Sequence, residues 1–194
     1  MEKKQFNTHS HIISVLVEMM KTTAIDNIKI VDLCKKAGIS RVTFYNHFYD
    51  RYDVATCFCK QIFEKVYHTD FVGYDLFTSC CLMNHEHIKN AVFFKNFFKS
   101  DVFNVIHFEG INILEKALVR MLKAYTKKPL SEEQIFQCRH SAIFIVISTR
   151  EWTIADFPIT PEKLAEFQCN MVPDIIQKAH SHKIPQRNGI LQKQ

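Results

Sequence analysis

The chain is poor in the residues that interrupt regular structure, with only 4 glycines and 5 prolines among 194 residues. An all-β protein needs frequent tight turns, and those turns draw on glycine and proline. The scarcity therefore argues against an all-β fold and favours helices. With 47% hydrophobic and 23% charged residues, the chain has the composition of a packed globular protein rather than a disordered one.

Long apolar segments are also missing. The longest apolar run, residues 142–147, is far too short to span a membrane. The first seven residues are polar, and no signal-peptide pattern follows them. We therefore expect a soluble cytoplasmic protein with no membrane partner, whose seven cysteines are reduced thiols.

Two further absences narrow the function. The net charge is only +5 and is spread over the chain, so charge alone does not identify a nucleic-acid binder. The sequence also lacks a phosphate-cradling glycine loop, a nucleophile elbow and a metalloprotease motif. We accordingly predict that the protein is not an enzyme and needs no cofactor.

The most informative stretch is residues 28–52, with the sequence IKIVDLCKKAGISRVTFYNHFYDRY. A short helix with apolar spacing leads to Gly38, which suits the left-handed conformation that often ends a helix. Ser40 can then cap a second helix by accepting a hydrogen bond from a first-turn N–H. This order predicts a helix-turn-helix unit, whose second helix enters the major groove of DNA.

The second helix, predicted over Arg41–Phe48, has two different faces at about 100° per residue. Phe44 and Phe48 form an apolar edge that must face the core. The remaining face offers an amide, two hydroxyls, an imidazole, a guanidinium and a small apolar group, from Arg41, Val42, Thr43, Tyr45, Asn46 and His47. Phosphate binding and base-edge recognition require this mixture. The alternative is the solvated face of a short core helix.

The segment KIVDLCKKAGISRVTFYNHFYDRYDVA resembles the DNA-binding segment of the TetR family of bacterial transcription regulators, over about the first 60 residues. The resemblance implies that Thr43, Tyr45 and His47 bind phosphates and that Arg41, Val42 and Asn46 approach base edges. It further implies phosphate binding by Arg51, where the family commonly has lysine, and by Lys29. Ser40 completes the predicted DNA-binding set.

The predicted fold is all-α, with a three-helix DNA-binding domain over 1–52, a larger helical ligand-binding and dimerisation domain over 53–182, and a flexible tail over 183–194. Periodicity and breaks predict the later helices at Phe71–Met83, His85–Lys99, Asn104–Tyr125, Glu132–Thr153 and Pro161–His180.

Ten of the seventeen phenylalanines lie between residues 58 and 108, more than one narrow helical stripe needs. One interpretation is a pocket for a small apolar or aromatic effector. The alternative is a well-filled core without a ligand. The predicted lining residues are Phe63, Cys80, Cys81, Phe93, Phe94, Phe97, His107 and Phe108.

Histidine and cysteine pairs at 85/87, 180/182, 57/59 and 80/81 raise the question of metal binding. Their gaps differ from those of structural zinc sites, which separate cysteines by two residues or histidines by three to five. We therefore predict no metal site, and a metal-responsive regulator stays an alternative.

Residues 142–147 are apolar on every side, so they must be covered all round. In the resembling family, two helices near the chain end form a four-helix dimer interface. The residues assigned to it here are Ile143, Phe144, Ile147, Phe167, Met171 and Ile175. A dimer also suits the motif, because paired reading heads recognise a palindrome.

These observations predict a homodimeric repressor of a palindromic operator, released by a small-molecule effector. A transcriptional activator of the same family and a helical protein-interaction module are the remaining alternatives.

Overall fold

The computed structural model describes residues 7–67, 75–100 and 103–181, and for residues 103–108 the backbone alone. The described residues form helices joined by short turns, which confirms the predicted all-α fold. The helices are α1 Thr8–Met19, α2 Ile30–Ala37, α3 Arg41–Tyr45, α4 Arg51–Val66, α5 Leu76–Lys89, α6 Ala91–Phe98, α7 Phe103–Thr126, α8 Glu132–Ile154, α9 Pro161–Met171 and α10 Asp174–Ser181. A single 3-10 turn, Ile25–Asn27, lies between α1 and α2. Within these ranges no helix is long and apolar enough to cross a membrane.

The chain divides into two compact units, Met1–Gln61 with Asn90–Ile106 and Ile62–Lys89 with His107–Gln194. The first unit contains α1 to α3, most of α4, and α6. The second contains α5 and α8 to α10 with most of α7. The predicted domain boundary at residue 52 stays a prediction, and the predicted tail at 183–194 lies outside the described residues.

The core of the first unit is built by the apolar stripe of α1, where Ile12 and Leu16 are fully buried. Asn96 of α6 fastens the connection between α1 and α2. Its amide nitrogen donates to the carbonyl oxygens of Met20 at 2.9 Å and Thr23 at 2.8 Å, and its amide oxygen accepts from the N–H of Ile25 at 2.9 Å. Residues far apart in sequence are thereby joined within one unit.

In the second unit, α5 and α9 make the most extensive contact between described helices. A buried polar network ties them to α8. Asn84 donates to Gln168 at 3.3 Å, Thr149 donates to Asn84 at 3.2 Å, and Gln168 donates to Thr149 at 2.8 Å. Because the side chains of Asn84, Thr149 and Gln168 all have hydrogen-bond partners, the network fixes the register of the three helices and leaves neither buried amide without a partner.

The predicted helix break at Met83-Asn84 is wrong, since α5 continues to Lys89 and the break falls at Asn90. Asn84 is fully buried and also donates to the carbonyl oxygen of Pro161 at 3.1 Å. Tertiary partners for the amide therefore override its local preference for a turn. The predicted start of this helix at Phe71 lies outside the described residues.

The single helix predicted over Pro161–His180 is also wrong, because α9 ends at Met171 and α10 begins at Asp174. Pro173 has no N–H to donate, and its ring disfavours a helical residue before it. Val172 accordingly has an extended backbone, with φ −87° and ψ 135°.

Candidate nucleic-acid interface

The turn between α2 and α3 is set by Gly38, which has φ 66° and ψ 32° in the left-handed region. The N–H groups of Gly38 and Ile39 donate to the carbonyl oxygens of Lys35 at 3.3 Å and Cys34 at 3.0 Å, so the end of α2 is satisfied. A Cβ at Gly38 would meet nothing within 4 Å. The requirement for glycine there is conformational rather than steric.

Ser40 caps α3 as expected from the sequence. Its Oγ accepts from the N–H of Thr43 at 3.0 Å and lies 2.9 Å from the Thr43 hydroxyl oxygen. The α-helix ends at Tyr45, three residues earlier than predicted, but the following turn keeps a helical path, since the N–H of Phe48 still donates to the carbonyl oxygen of Phe44. The short helix is therefore fixed at both ends.

The two faces of α3 separate as the wheel predicts. Phe44 and Phe48 are buried, with 0% and 2% of their surface exposed. Val42 and Tyr45 are 72% and 50% exposed. Arg41, Asn46 and His47 are also exposed, and Thr43 is half-buried. The structure thus brings six predicted DNA-binding residues together on α3 and the turn that follows it.

The three other predicted DNA-binding residues flank this face in sequence. Lys29 is the exposed N-cap residue of α2, and Ser40 is the exposed cap of α3. Arg51 opens α4, where Asp50 caps the helix by accepting from the N–H groups of Tyr52 at 2.8 Å and Asp53 at 2.9 Å.

Two aromatic residues near α3 escaped sequence reasoning. Tyr49 follows the buried Phe48 and is 85% exposed. The imidazole of His9 stacks on the Phe48 ring with centroids 4.5 Å apart and lies 6.3 Å from the His47 ring. The position of Tyr49 directly after the apolar Phe48 would have been enough to predict that its side chain is exposed beside α3. The approach of His9 required the tertiary structure.

The residues predicted to line an effector pocket fall into both compact units. In the first unit, Phe93 stacks on Phe97 with centroids 5.6 Å apart and meets Phe94 and Phe58 edge-on at 5.3 Å and 4.7 Å. Phe93, Phe94 and Phe97 are buried. This part of the prediction corresponds to a packed aromatic cluster.

In the second unit, Phe63 lies against α7, where a Cβ at Gly110 would come within 2.8 Å of the end of its ring. Cys80 and Cys81 are buried on α5. A hydrogen bond from the Cys80 thiol to the Cys169 sulfur lowers the pKa of Cys169 and raises that of Cys80 well above its usual range. The side chains of the other two predicted residues, His107 and Phe108, lie outside the described part of the chain.

The predicted dimer residues form apolar surface on α8, α9 and α10. Met171 and Phe167 are 68% and 46% exposed, and Ile143, Phe144, Ile147 and Ile175 are half-buried. Phe136, which the prediction missed, is 61% exposed and lies on the same side of α8 as Ile143, two turns nearer the start of the helix. Apolar side chains left at a surface in this number are typical of an interface.

The described residues contain no group of three or more histidine, cysteine, aspartate or glutamate side chains able to hold a metal ion. One surface depression of about 470 Å³ is lined by Tyr125, Gln177, Lys178 and Ser181. None of the predicted effector residues contributes to it.

No protein-family model matches the chain. Among curated proteins, it is 26% identical over 152 residues to the HTH-type dhaKLM operon transcriptional activator DhaS of Lactococcus lactis subsp. lactis (strain IL1403), over 77% of this chain and 81% of that protein. A solved structure, the dihydroxyacetone kinase operon activator DhaS, has a TM-score of 0.64 at 23% identity, covering 85% of this chain and 93% of its own.

A second solved structure, a TetR transcriptional regulator from Rhodococcus sp. RHA1, has a TM-score of 0.58 at 10% identity, covering 85% of this chain and 96% of its own. At such identities the structural likeness concerns the fold. The chain has the helical fold of TetR-like regulators, which confirms the resemblance that its helix-turn-helix sequence indicated.

Proposed function

We propose that this protein is a cytoplasmic TetR-like transcriptional regulator that binds duplex DNA through α3 and the residues beside it, and is not an enzyme. The observation that carries the proposal is the exposed face of α3, held between the Gly38 turn and the buried Phe44. A rigid turn and a fixed cap present that face as a unit, as binding in the major groove requires.

The chemistry of each side chain suggests its part in binding. Hydroxyls and imidazole donate to phosphate oxygens, so Thr43, Tyr45 and His47 serve to position the protein on the DNA backbone. The guanidinium of Arg41 and the amide of Asn46 can form paired hydrogen bonds with guanine and adenine edges. Val42 can contact a thymine methyl group.

Tyr45→Ala and His47→Ala are expected to weaken binding to the DNA upstream of the gene that encodes the chain. Each change removes one hydrogen bond to a phosphate but no lysine or arginine charge, so affinity should fall at every salt concentration while the slope of log affinity against log salt stays nearly unchanged. Fluorescence anisotropy with a labelled duplex at several salt concentrations measures both quantities.

His85→Ala is the matched control, because His85 is an exposed histidine on α5, away from the helix-turn-helix and from the apolar surface of α8. It should leave both affinity and slope unchanged. Sequence-specific binding that neither Tyr45→Ala nor His47→Ala alters would contradict the assigned interface.

We further propose a homodimer assembled through the apolar surface of α8, α9 and α10, which would place two DNA-binding helices on a palindromic operator. Met171→Asp places a charge in this surface and should shift the protein from dimer to monomer, because an unpaired charge is costly to bury. Light scattering at micromolar concentration reports the mass. Ile88→Asp, at an exposed aliphatic position on α5, should leave the dimer intact. A monomeric unaltered protein would reject the proposal.

The direction of regulation has two candidates. The sequence prediction is repression released by an effector, whereas the 26%-identical relative is described as an operon activator, which favours activation. A promoter reporter with the gene deleted separates the two. Its output should rise if the protein represses and fall if it activates.

A small apolar or aromatic effector stays a prediction. Its strongest support is the number of aromatic residues near α6. The mutual packing of Phe93, Phe94 and Phe97 means that a ligand there would have to separate rings already in contact.

A further inference from the structure

Arg51 is held by a chain of contacts that the sequence did not reveal. The Nη2 group of its guanidinium donates to the hydroxyl oxygen of Tyr52 at 3.0 Å, and that hydroxyl donates to a carboxylate oxygen of Asp26 at 2.6 Å. The guanidinium carbon also lies 4.7 Å from the centre of the Tyr52 ring. Tyr52 therefore fixes Arg51 in two ways, through its hydroxyl and through its aromatic face.

The contacts have a defined polarity. The Asp26 carboxylate accepts a hydrogen bond from the Tyr52 hydroxyl, so the lone pairs of the hydroxyl oxygen face the arginine. Burial, followed by the hydrogen bond to Asp26, raises the pKa of Tyr52. The hydroxyl consequently stays protonated and connects a negative group in the 3-10 turn to a positive group at the start of α4.

One donor of the Arg51 guanidinium is not used by these contacts. The Nε of Arg51 is buried and has no hydrogen-bond partner among the residues that the structure describes. A buried donor left in this state costs about 1 to 3 kcal/mol. An arginine whose hydrogen bonds within the protein are incomplete still has donors to offer to an anionic ligand such as a phosphate.

We propose that Tyr52 and Asp26 are positioning residues that hold the guanidinium of Arg51 ready to bind a phosphate of the DNA backbone. Fixing the guanidinium before binding lowers the entropy lost when the phosphate contact forms. This inference rests on the proposed DNA-binding function and adds two residues that do not themselves touch DNA.

We call the contacts from Asp26 through Tyr52 to Arg51 the relay. A double-mutant cycle tests it by measuring how Tyr52→Phe, Arg51→Gln and the double variant bind the upstream duplex. Tyr52→Phe keeps the ring but removes the hydroxyl, and should weaken binding about threefold to tenfold. Arg51→Gln should weaken binding and reduce the salt slope by about one unit. The double variant should bind no more weakly than Arg51→Gln alone, because the hydroxyl acts only through the arginine.

Two substitutions of Asp26, one conservative and one that removes the hydrogen-bond acceptor, test its part in the relay. Asp26→Asn keeps an oxygen able to accept the hydrogen bond of the Tyr52 hydroxyl and should retain most of the affinity, whereas Asp26→Ala should resemble Tyr52→Phe. Tyr125→Phe, on α7, is the control for loss of a tyrosine hydroxyl. Urea unfolding of each variant measures its stability. A loss of affinity caused only by weakened folding would be the same whether residue 51 is arginine or glutamine.

Equal losses from Tyr52→Phe in the presence and absence of the Arg51 guanidinium would overturn the inference, as would an unaltered affinity for Tyr52→Phe. Both outcomes leave the DNA-binding proposal intact. Failure of the unaltered protein to bind the duplex would instead reject the proposed function, and the relay with it.

Discussion

Asn96→Ala is expected to lower the free energy of unfolding of the first unit by about 2 to 4 kcal/mol. The side chain makes three hydrogen bonds of 2.8 to 2.9 Å to the backbone between α1 and α2. Two of its partners, Met20 and Ile25, are almost fully buried. Alanine leaves one N–H and two carbonyl groups without their partner, and water reaches them poorly.

Asn96→Asp tests specifically the two hydrogen bonds that the Asn96 amide nitrogen donates. The carboxylate can still accept from the N–H of Ile25, but its second oxygen would face the carbonyl oxygens of Met20 and Thr23, where the native amide donates. Repulsion replaces two hydrogen bonds, so the loss should be at least as large as for alanine. Asn170→Ala, at an exposed position on α9, is the control and should stay within about 0.5 kcal/mol of the unaltered protein.

Hydrogen exchange of backbone amides locates the effect. Amides of α1 should exchange faster in both Asn96 variants, and those of α8 should not, because α8 belongs to the other compact unit. An unfolding midpoint and an α1 exchange rate equal to those of the unaltered protein would show that the three hydrogen bonds contribute little.

The predictable parts of this structure are those decided by neighbouring residues. Gly38 takes the left-handed conformation and Ser40 caps α3 because both features depend on a few adjacent residues. The same locality let a helical wheel separate Phe44 from Val42. The outer face of α3 therefore followed from the sequence almost residue by residue.

Other features depend on partners far away in the chain. Asn84 suggests a break when considered alone, yet amide partners on α9 keep it inside α5. The role of Asn96 likewise depends on carbonyl groups more than seventy residues distant. The pattern of one sequence does not indicate which residues distant in the chain will form hydrogen bonds with each other. The break at Pro173 is different, since the proline itself was a sufficient signal.

The aromatic residues illustrate a second limit. Their number near α6 is consistent with a ligand pocket and with a filled core, because both need apolar side chains of large volume. Only the contacts decide where each ring lies, and Phe93 contacts three other phenylalanines directly. Composition therefore indicated where the aromatic cluster lies but not what it does.

Acidification from pH 7 to pH 5 is expected to remove roughly 2 kcal/mol of unfolding free energy through His87 alone. The imidazole is buried on α5, and burial lowers its pKa to about 3 from an ordinary value of 6.5. Between these two values the unfolded chain binds a proton at this site and the folded chain does not. The stability contributed by neutral His87 is therefore fully present above about pH 6.5 and declines as the pH falls toward 3.

The hydrogen bonds around the ring agree with a neutral imidazole. The Thr153 hydroxyl donates to the carbonyl oxygen of Thr149 at 2.8 Å, so it accepts from Nδ1 of His87, which lies 3.1 Å away. A second proton would place a full charge among buried residues of α5 and α8. His87→Asn preserves a donor near the position of Nδ1 but cannot titrate.

Urea unfolding at pH 7 and pH 5 gives the measurement. Other groups also titrate in this range, so the relevant quantity is the difference between the unaltered protein and His87→Asn at each pH. That difference should shrink by about 2 kcal/mol on acidification, because the variant has lost the titrating group. His140→Asn, at an exposed position, should follow the unaltered protein at both pH values. A pH-independent difference for His87→Asn would mean that the folded protein accepts the proton at this site as readily as the unfolded chain does.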